Sequence, residues 1–155
     1  MTSRLTLARP ALLAALVALG SGFASIAHAD DDAALAAAAK EAGAVKTDSG
    51  LVYKSITEGK GASPAATDVV KVNYTGTLTN GTKFDASADH GGAAEFPLNR
   101  VIPCWTEGVQ KMKVGGKAKL TCPSAIAYGP RAVGGVIAPN STLVFEVELI
   151  SIKGK

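Results

Sequence analysis

Few side chains in this 155-residue chain could carry covalent chemistry. There are two cysteines, Cys104 and Cys122, and two histidines, His28 and His90. A cysteine-based metal site would need two more ligands, and His90 is the only other candidate of the usual kind after residue 29, so no metal is expected. No Ser/His/Asp or Cys/His arrangement for nucleophilic catalysis stands out either. What the chain offers instead is a set of aromatic residues: Tyr74, Phe84 beside Asp85, Phe96, Trp105, Tyr128 and Phe145. A concave aromatic pocket with a few polar groups could bind and reshape an apolar ligand without bonding to it. The same six rings could equally fill an ordinary core, and Asp85 could be a turn-capping acid.

The element that must position them is Val101 to Gly116, VIPCWTEGVQKMKVGG. Pro103 suits a first helical position, where its missing N–H costs nothing. Trp105, Val109 and Met112 follow at i, i+4 and i+7, one apolar face of a short helix. Gly115 and Gly116 are expected to end it.

Around this helix the pattern is one of strands. Leu51 to Ile56 follows the turn pair Ser49-Gly50. Val70, Val72 and Tyr74 alternate with Lys71 and Asn73, the signature of a half-buried strand that runs to the hairpin turn Asn80-Gly81. Lys83-Phe84-Asp85 opens the return strand, Ala88 to Ala94 interrupts it, and Glu95 to Leu98 resumes it. Beyond the helix, Ala118, Leu120 and Cys122 point inward from the next strand. Leu143, Phe145, Val147 and Leu149 do the same from the last. Between these two strands Pro123 to Pro139 is a loop rich in glycine and proline, longer than the roughly 12–15 residues beyond which a loop is usually functional or disordered. Hairpin-connected strands with one short central helix predict an α+β fold, an antiparallel sheet packed on a helix.

The N-terminus is of another kind. Arg4 and Arg9 precede the apolar run Ala11 to Phe23, and Ala27-His28-Ala29 is a small-x-small cleavage signal. The run is shorter than the roughly 20 residues that cross a bilayer. Residues 1–29 therefore read as a cleaved signal peptide, with export to a bacterial periplasm or beyond and no stable membrane insertion. Removing them takes away two arginines and no acids, so the net charge falls from +3 to +1. That leaves no electrostatic basis for binding nucleic acid. Residues 30–48 read as an alanine-rich helical leader or linker rather than a dimerising arm, and 49–155 as one domain. In an oxidising compartment Cys104 and Cys122 could form a disulfide, with two buried thiols as the alternative.

Five stretches in order carry a resemblance: Val72-Asn73-Tyr74-Thr75-Gly76; Asn80-Gly81-Thr82-Lys83-Phe84-Asp85; Val101-Ile102-Pro103-Cys104-Trp105-Thr106-Glu107-Gly108; Ala127-Tyr128-Gly129; and Thr142-Leu143-Val144-Phe145-Glu146-Val147-Glu148-Leu149. From about Gly50 to Lys153 the chain resembles the FK506-binding-protein family of peptidyl-prolyl cis-trans isomerases, in its exported bacterial branch. The resemblance implies a curled five- to six-stranded antiparallel sheet around the helix that carries Trp105. It implies a substrate pocket of Tyr74, Phe84, Asp85, Val101, Ile102, Trp105, Tyr128, Ile137 and Phe145. Trp105 would be its floor, Tyr74, Phe84 and Phe145 its walls, and Tyr128 and Ile137 would close over the ligand. The residues expected to act on the twisting bond are Tyr74, Asp85, Trp105, Tyr128 and Ile102, the last through its backbone N–H.

Such an isomerase needs no cofactor. Its expected partners are proline-containing segments of unfolded or exported proteins, with FK506- or rapamycin-type ligands in the same pocket, and a monomer rather than a dimer is expected. A low-turnover proline-binding module or periplasmic chaperone would use the same residues. Three departures from the family pattern stand out. Ala94 replaces an aromatic that is common there, which predicts a more open wall. Ala88 to Ala93 replaces a more charged stretch, so the salt bridge that some relatives make to Asp85 has no assigned partner. The long loop lacks the usual proline-rich run near Val133 to Ala138, keeping only Pro139.

Overall fold

The computed structural model describes the backbone from Phe23 to Lys155 and the side chains from Asp31 onward. The basic n-region and nearly all of the apolar run lie outside the described residues. Helix α1, Phe23–Ala39, passes through the expected cleavage signal, so it starts seven residues before Asp30 and ends before Ala42. Its end is tied to the domain: Ala38 is buried, and just beyond the helix Lys54 and Lys119 donate to Glu41 at 3.1 and 2.8 Å. Near the start of its described side chains, Asp31 accepts from Thr79 Oγ1 at 3.0 Å and from the Thr142 N–H at 3.1 Å.

Seven strands follow: β1 Ala44–Lys46, β2 Val52–Thr57, β3 Val69–Leu78, β4 Lys83–Ala86, β5 Ala94–Pro97, β6 Lys117–Cys122 and β7 Leu143–Ile152. They form one antiparallel sheet in the order β1-β2-β6-β7-β3-β4, with β5 also on β3. β4 and β5 are the interrupted return strand, β4 pairing with Thr75–Thr77 of β3 and β5 with Val69–Val72. The sheet has seven strands rather than five or six because this return strand is broken in two and because β1 pairs with β2 from within the segment read as leader. Three residues without alternating large side chains give a strand no sequence signature.

Helix α2, Pro103–Gln110, lies against the sheet, and Trp105, Val109 and Met112 are all buried. It ends at Gln110, earlier than the glycine pair implied. Met112 sits in the turn beyond, its N–H donating to the Val109 carbonyl at 3.0 Å. Gly115, at φ 89°, turns the chain toward β6. Burial within β3 and from Leu143 to Leu149 of β7 follows the alternation in sequence, while in β6 Thr121 is buried along with Ala118, Leu120 and Cys122. Val70, Val72, Ala118, Leu120, Leu143, Val147 and Leu149 form the core with α2. A disulfide joins Cys104 on α2 to Cys122 at the end of β6, with Cα atoms 5.8 Å apart, both residues fully buried.

Candidate active site

Ile102 is the last extended residue before α2, at φ −57° and ψ 146°, and its carbonyl accepts from the Trp105 and Thr106 N–H groups at 2.9 and 3.2 Å. Among the described residues the Ile102 N–H itself has no acceptor. The Thr106 hydroxyl donates to the Leu98 carbonyl at 2.6 Å and so ties the helix start to the segment after β5. These contacts fix where Trp105 enters the core.

Three rings stand nearly perpendicular to the Trp105 indole. Tyr74 from β3 is 5.2 Å away at 78°, Phe145 from β7 5.4 Å at 87°, and Phe96 from β5 5.6 Å at 89°. Phe84 from β4 extends the wall by packing edge-on against Phe145 at 5.6 Å. Edge-to-face contact is the geometry that ring quadrupoles prefer. Gly76 of β3 makes the Phe84–Phe145 contact possible, since a Cβ there would stand 2.6 Å from Phe84 and 2.9 Å from Phe145. The rings enclose a cavity of about 400 Å³ lined by Tyr74, Phe84, Asp85, Phe96, Arg100, Val101, Ile102, Trp105, Tyr128 and Phe145. That volume is in the range of small-ligand pockets. The Trp105 indole N–H is buried with no acceptor among the described residues.

One corner is charged. Tyr74 O–H donates to Asp85 Oδ2 at 2.8 Å, the Ala86 N–H donates to Oδ1 at 2.9 Å, and His90 Nε2 lies 2.7 Å from Oδ1. Burial works against the Asp85 charge, but the hydrogen bonds from Tyr74, His90 and Ala86 outweigh it and hold the carboxyl below its usual range. Burial and the adjacent Asp85 push the Tyr74 hydroxyl well up, so it remains a neutral donor. Tyr128, partly exposed on the long loop, is shifted the same way by burial and by Asp85. Among the described residues no three His, Cys, Asp or Glu side chains are grouped so as to hold a metal ion.

The structure thus brings eight of the nine residues expected for the pocket around one cavity. The ninth, Ile137, is buried and lines an adjoining cavity of about 220 Å³ with Phe84, Asp85 and Tyr128. Two lining residues stand outside the nine expected for the substrate pocket. Phe96, which the sequence offered as pocket or core alike, belongs to a strand only four residues long, too short for its alternation to separate the two, and it packs edge-on to Tyr74 and Trp105. Arg100 carried no signal, since an arginine before a helix is ordinarily a solvated charge. His90, in the stretch that lacks the family's usual charges, is the missing partner of Asp85.

The family model for FKBP-type peptidyl-prolyl cis-trans isomerases matches residues 60–150. The chain belongs to this family. This FKBP-type chain is 58% identical over 119 residues to the FKBP-type peptidyl-prolyl cis-trans isomerase FkpA of Aeromonas hydrophila, covering 77% of this chain and 44% of that protein. It is 54% identical over 114 residues to the FKBP-type 22 kDa peptidyl-prolyl cis-trans isomerase of Escherichia coli, covering 74% and 55%. The crystal structure of FkpA from Escherichia coli superposes with a TM-score of 0.80 at 45% identity, over 84% of this chain and 61% of that one. The chain therefore spans about half the length of the curated relatives it matches. No helix among the described residues is long and apolar enough to cross a membrane.

Proposed function

We propose that this chain is an exported peptidyl-prolyl cis-trans isomerase that accelerates X–Pro rotation in folding proteins of the periplasm. The observation that carries the reading is the Trp105 indole, with three rings perpendicular to it and a cavity of about 400 Å³ opening beside it. Rotation about a peptide bond meets a barrier near ~18–20 kcal/mol because amide resonance is lost on twisting. Uncatalysed X–Pro isomerisation takes roughly tens to hundreds of seconds. No bond breaks, so the protein need only bind the twisted amide better than either planar form.

Each part of the site has a role in that preference. The apolar walls remove the water that stabilises the more dipolar planar amide. Trp105 takes the pyrrolidine ring, and the Ile102 N–H donates to a carbonyl of the peptide. Tyr74 and Asp85 orient the polar atoms on the far side, while Tyr128 closes from the long loop with Ile137 behind it. Substrates are proline-containing segments of unfolded exported proteins, and FK506 or rapamycin occupies the same walls.

A protease-coupled assay with a Leu-Pro peptide, on the chain beginning at Asp30, tests this. Acceleration that FK506 or rapamycin abolishes is the expected result. No acceleration, or acceleration that neither ligand touches, would contradict it.

A further inference from the structure

Asp85, in the charged corner of the cavity, has one partner with no role in the scheme above, His90. It ends a 3-10 turn, Ser87–His90, that connects β4 to β5. At the start of the turn the buried Ser87 Oγ accepts the Tyr74 N–H at 3.0 Å, which fastens the turn to β3. At its end the Ser87 carbonyl accepts the N–H groups of Gly91 and Gly92, and Gly91 adopts a left-handed φ of 91° that only glycine takes without strain. The turn therefore delivers His90 to Asp85, Nε2 to Oδ1 at 2.7 Å. Asp85 is gripped by three donors, of which Tyr74 also lines the cavity.

The three donors differ in kind. A backbone N–H and a tyrosine pushed upward by burial do not change charge near neutrality. Histidine is the side chain whose ordinary titration falls between about pH 5 and 8. Among the described residues no other charged side chain lies within ion-pair distance of Asp85. Lys83 pairs with Asp89 at 3.1 Å, the Tyr128 ring faces Asp85 from the long loop, and Arg100 lines the same cavity. Lys117, Glu146 and Glu148 line a separate cleft with Ser87 and Ala88.

We infer that His90 is a positioning residue for Asp85, and that its protonation makes the pocket more active in mildly acidic than in mildly alkaline solution. Protonated, the imidazolium neutralises the carboxylate at the edge of an apolar cavity and locks it against Tyr74. Neutral, it leaves the carboxylate without a direct ion-pair partner beside the ligand's carbonyl dipoles. Both side chains are partly exposed, 63% for His90 and 38% for Asp85, so the effect is a modest one.

The inference rests on the isomerase reading, and the test separates the two. Exchange NMR on a capped Leu-Pro tetrapeptide with no titratable group gives kcat/KM from pH 5.5 to 8 without a coupling protease. The wild-type value is expected to fall about two- to fivefold across that range. His90→Arg should hold the low-pH value throughout and His90→Gln the high-pH value, with Asp85→Asn abolishing the pH dependence at reduced activity. A flat wild-type profile, or a wild-type profile retained in both His90 variants, overturns this inference and leaves the isomerase standing. Catalysis absent at every pH overturns the proposed function and this inference with it.

Discussion

At the scale of single residues, the site is a division of labour between one apolar floor and one charged corner. Trp105 is the only tryptophan in the chain, so its emission reports the pocket without interference. A proline peptide or macrolide that enters the cavity should shift that emission in a saturable way, and an unchanged spectrum at saturating ligand would place binding elsewhere. Tyr74 serves both parts, with its ring edge-on to Trp105 and its hydroxyl on Asp85. Tyr74→Phe keeps the ring and removes the donor. It should lower kcat/KM about three- to tenfold, the effect of one lost hydrogen bond of roughly 1 kcal/mol, with little change in thermal stability. Asp85 gives the acid side of the account. Its carboxyl is held below the usual range, so its contribution to stability is present above about pH 4 and is lost as pH falls through the lower folded value. An acid titration of the wild type against Asp85→Asn, followed by circular dichroism, should show the two curves converging in that window.

At the scale of elements, the cavity depends on how closely the strands let their rings approach. Gly76→Ala would put a methyl group into the Phe84–Phe145 contact and force one ring off the wall. We expect a loss of about 1–3 kcal/mol in denaturant unfolding, together with weaker macrolide binding. The disulfide ties α2 to β6 across a separation of 18 residues, worth about 3 kcal/mol in the chain-entropy model. Counting thiols in the unfolded, unreduced exported protein should give none, and reductant should lower Tm; two free thiols would contradict this.

How far these elements were legible in the sequence followed from their length and patterning. β6 alternates apolar and polar residues over its six positions and β7 does so, Val144 apart, from Leu143 to Leu149, so their inward faces could be read directly. The Trp105 face of α2 was legible for the same reason, through its 3.6-residue period. β1 has three residues and no pattern, and β5 has four, which is why the sheet's edge and the wall formed by Phe96 were not assigned. The pairing of His90 with Asp85 depends on a 3-10 turn closed by two glycines. Nothing periodic marks such a turn, and only its folded path brings the two side chains together.

At the scale of the whole molecule, the segment before the domain is part of the structure rather than a loose tether. Asp31 bonds the β3–β4 hairpin and the end of the long loop, and Glu41 bridges β2 and β6 through Lys54 and Lys119. Intact mass of the exported protein should place its N-terminus at Asp30, which keeps all of these contacts; retention of residues 1–29 would contradict the export reading. A chain begun at residue 49 should unfold at lower denaturant, because it lacks β1 and the buried Ala38. The central claim is that bond rotation is catalysed by the aromatic box itself. The measurement that tests it most directly is kcat/KM for a Leu-Pro peptide in the wild type and in Trp105→Leu, which keeps apolar volume in the core. With circular dichroism showing the fold retained, Trp105→Leu should lose about tenfold or more, at least ~1.4 kcal/mol of transition-state stabilisation. A folded Trp105→Leu with undiminished activity would contradict that claim.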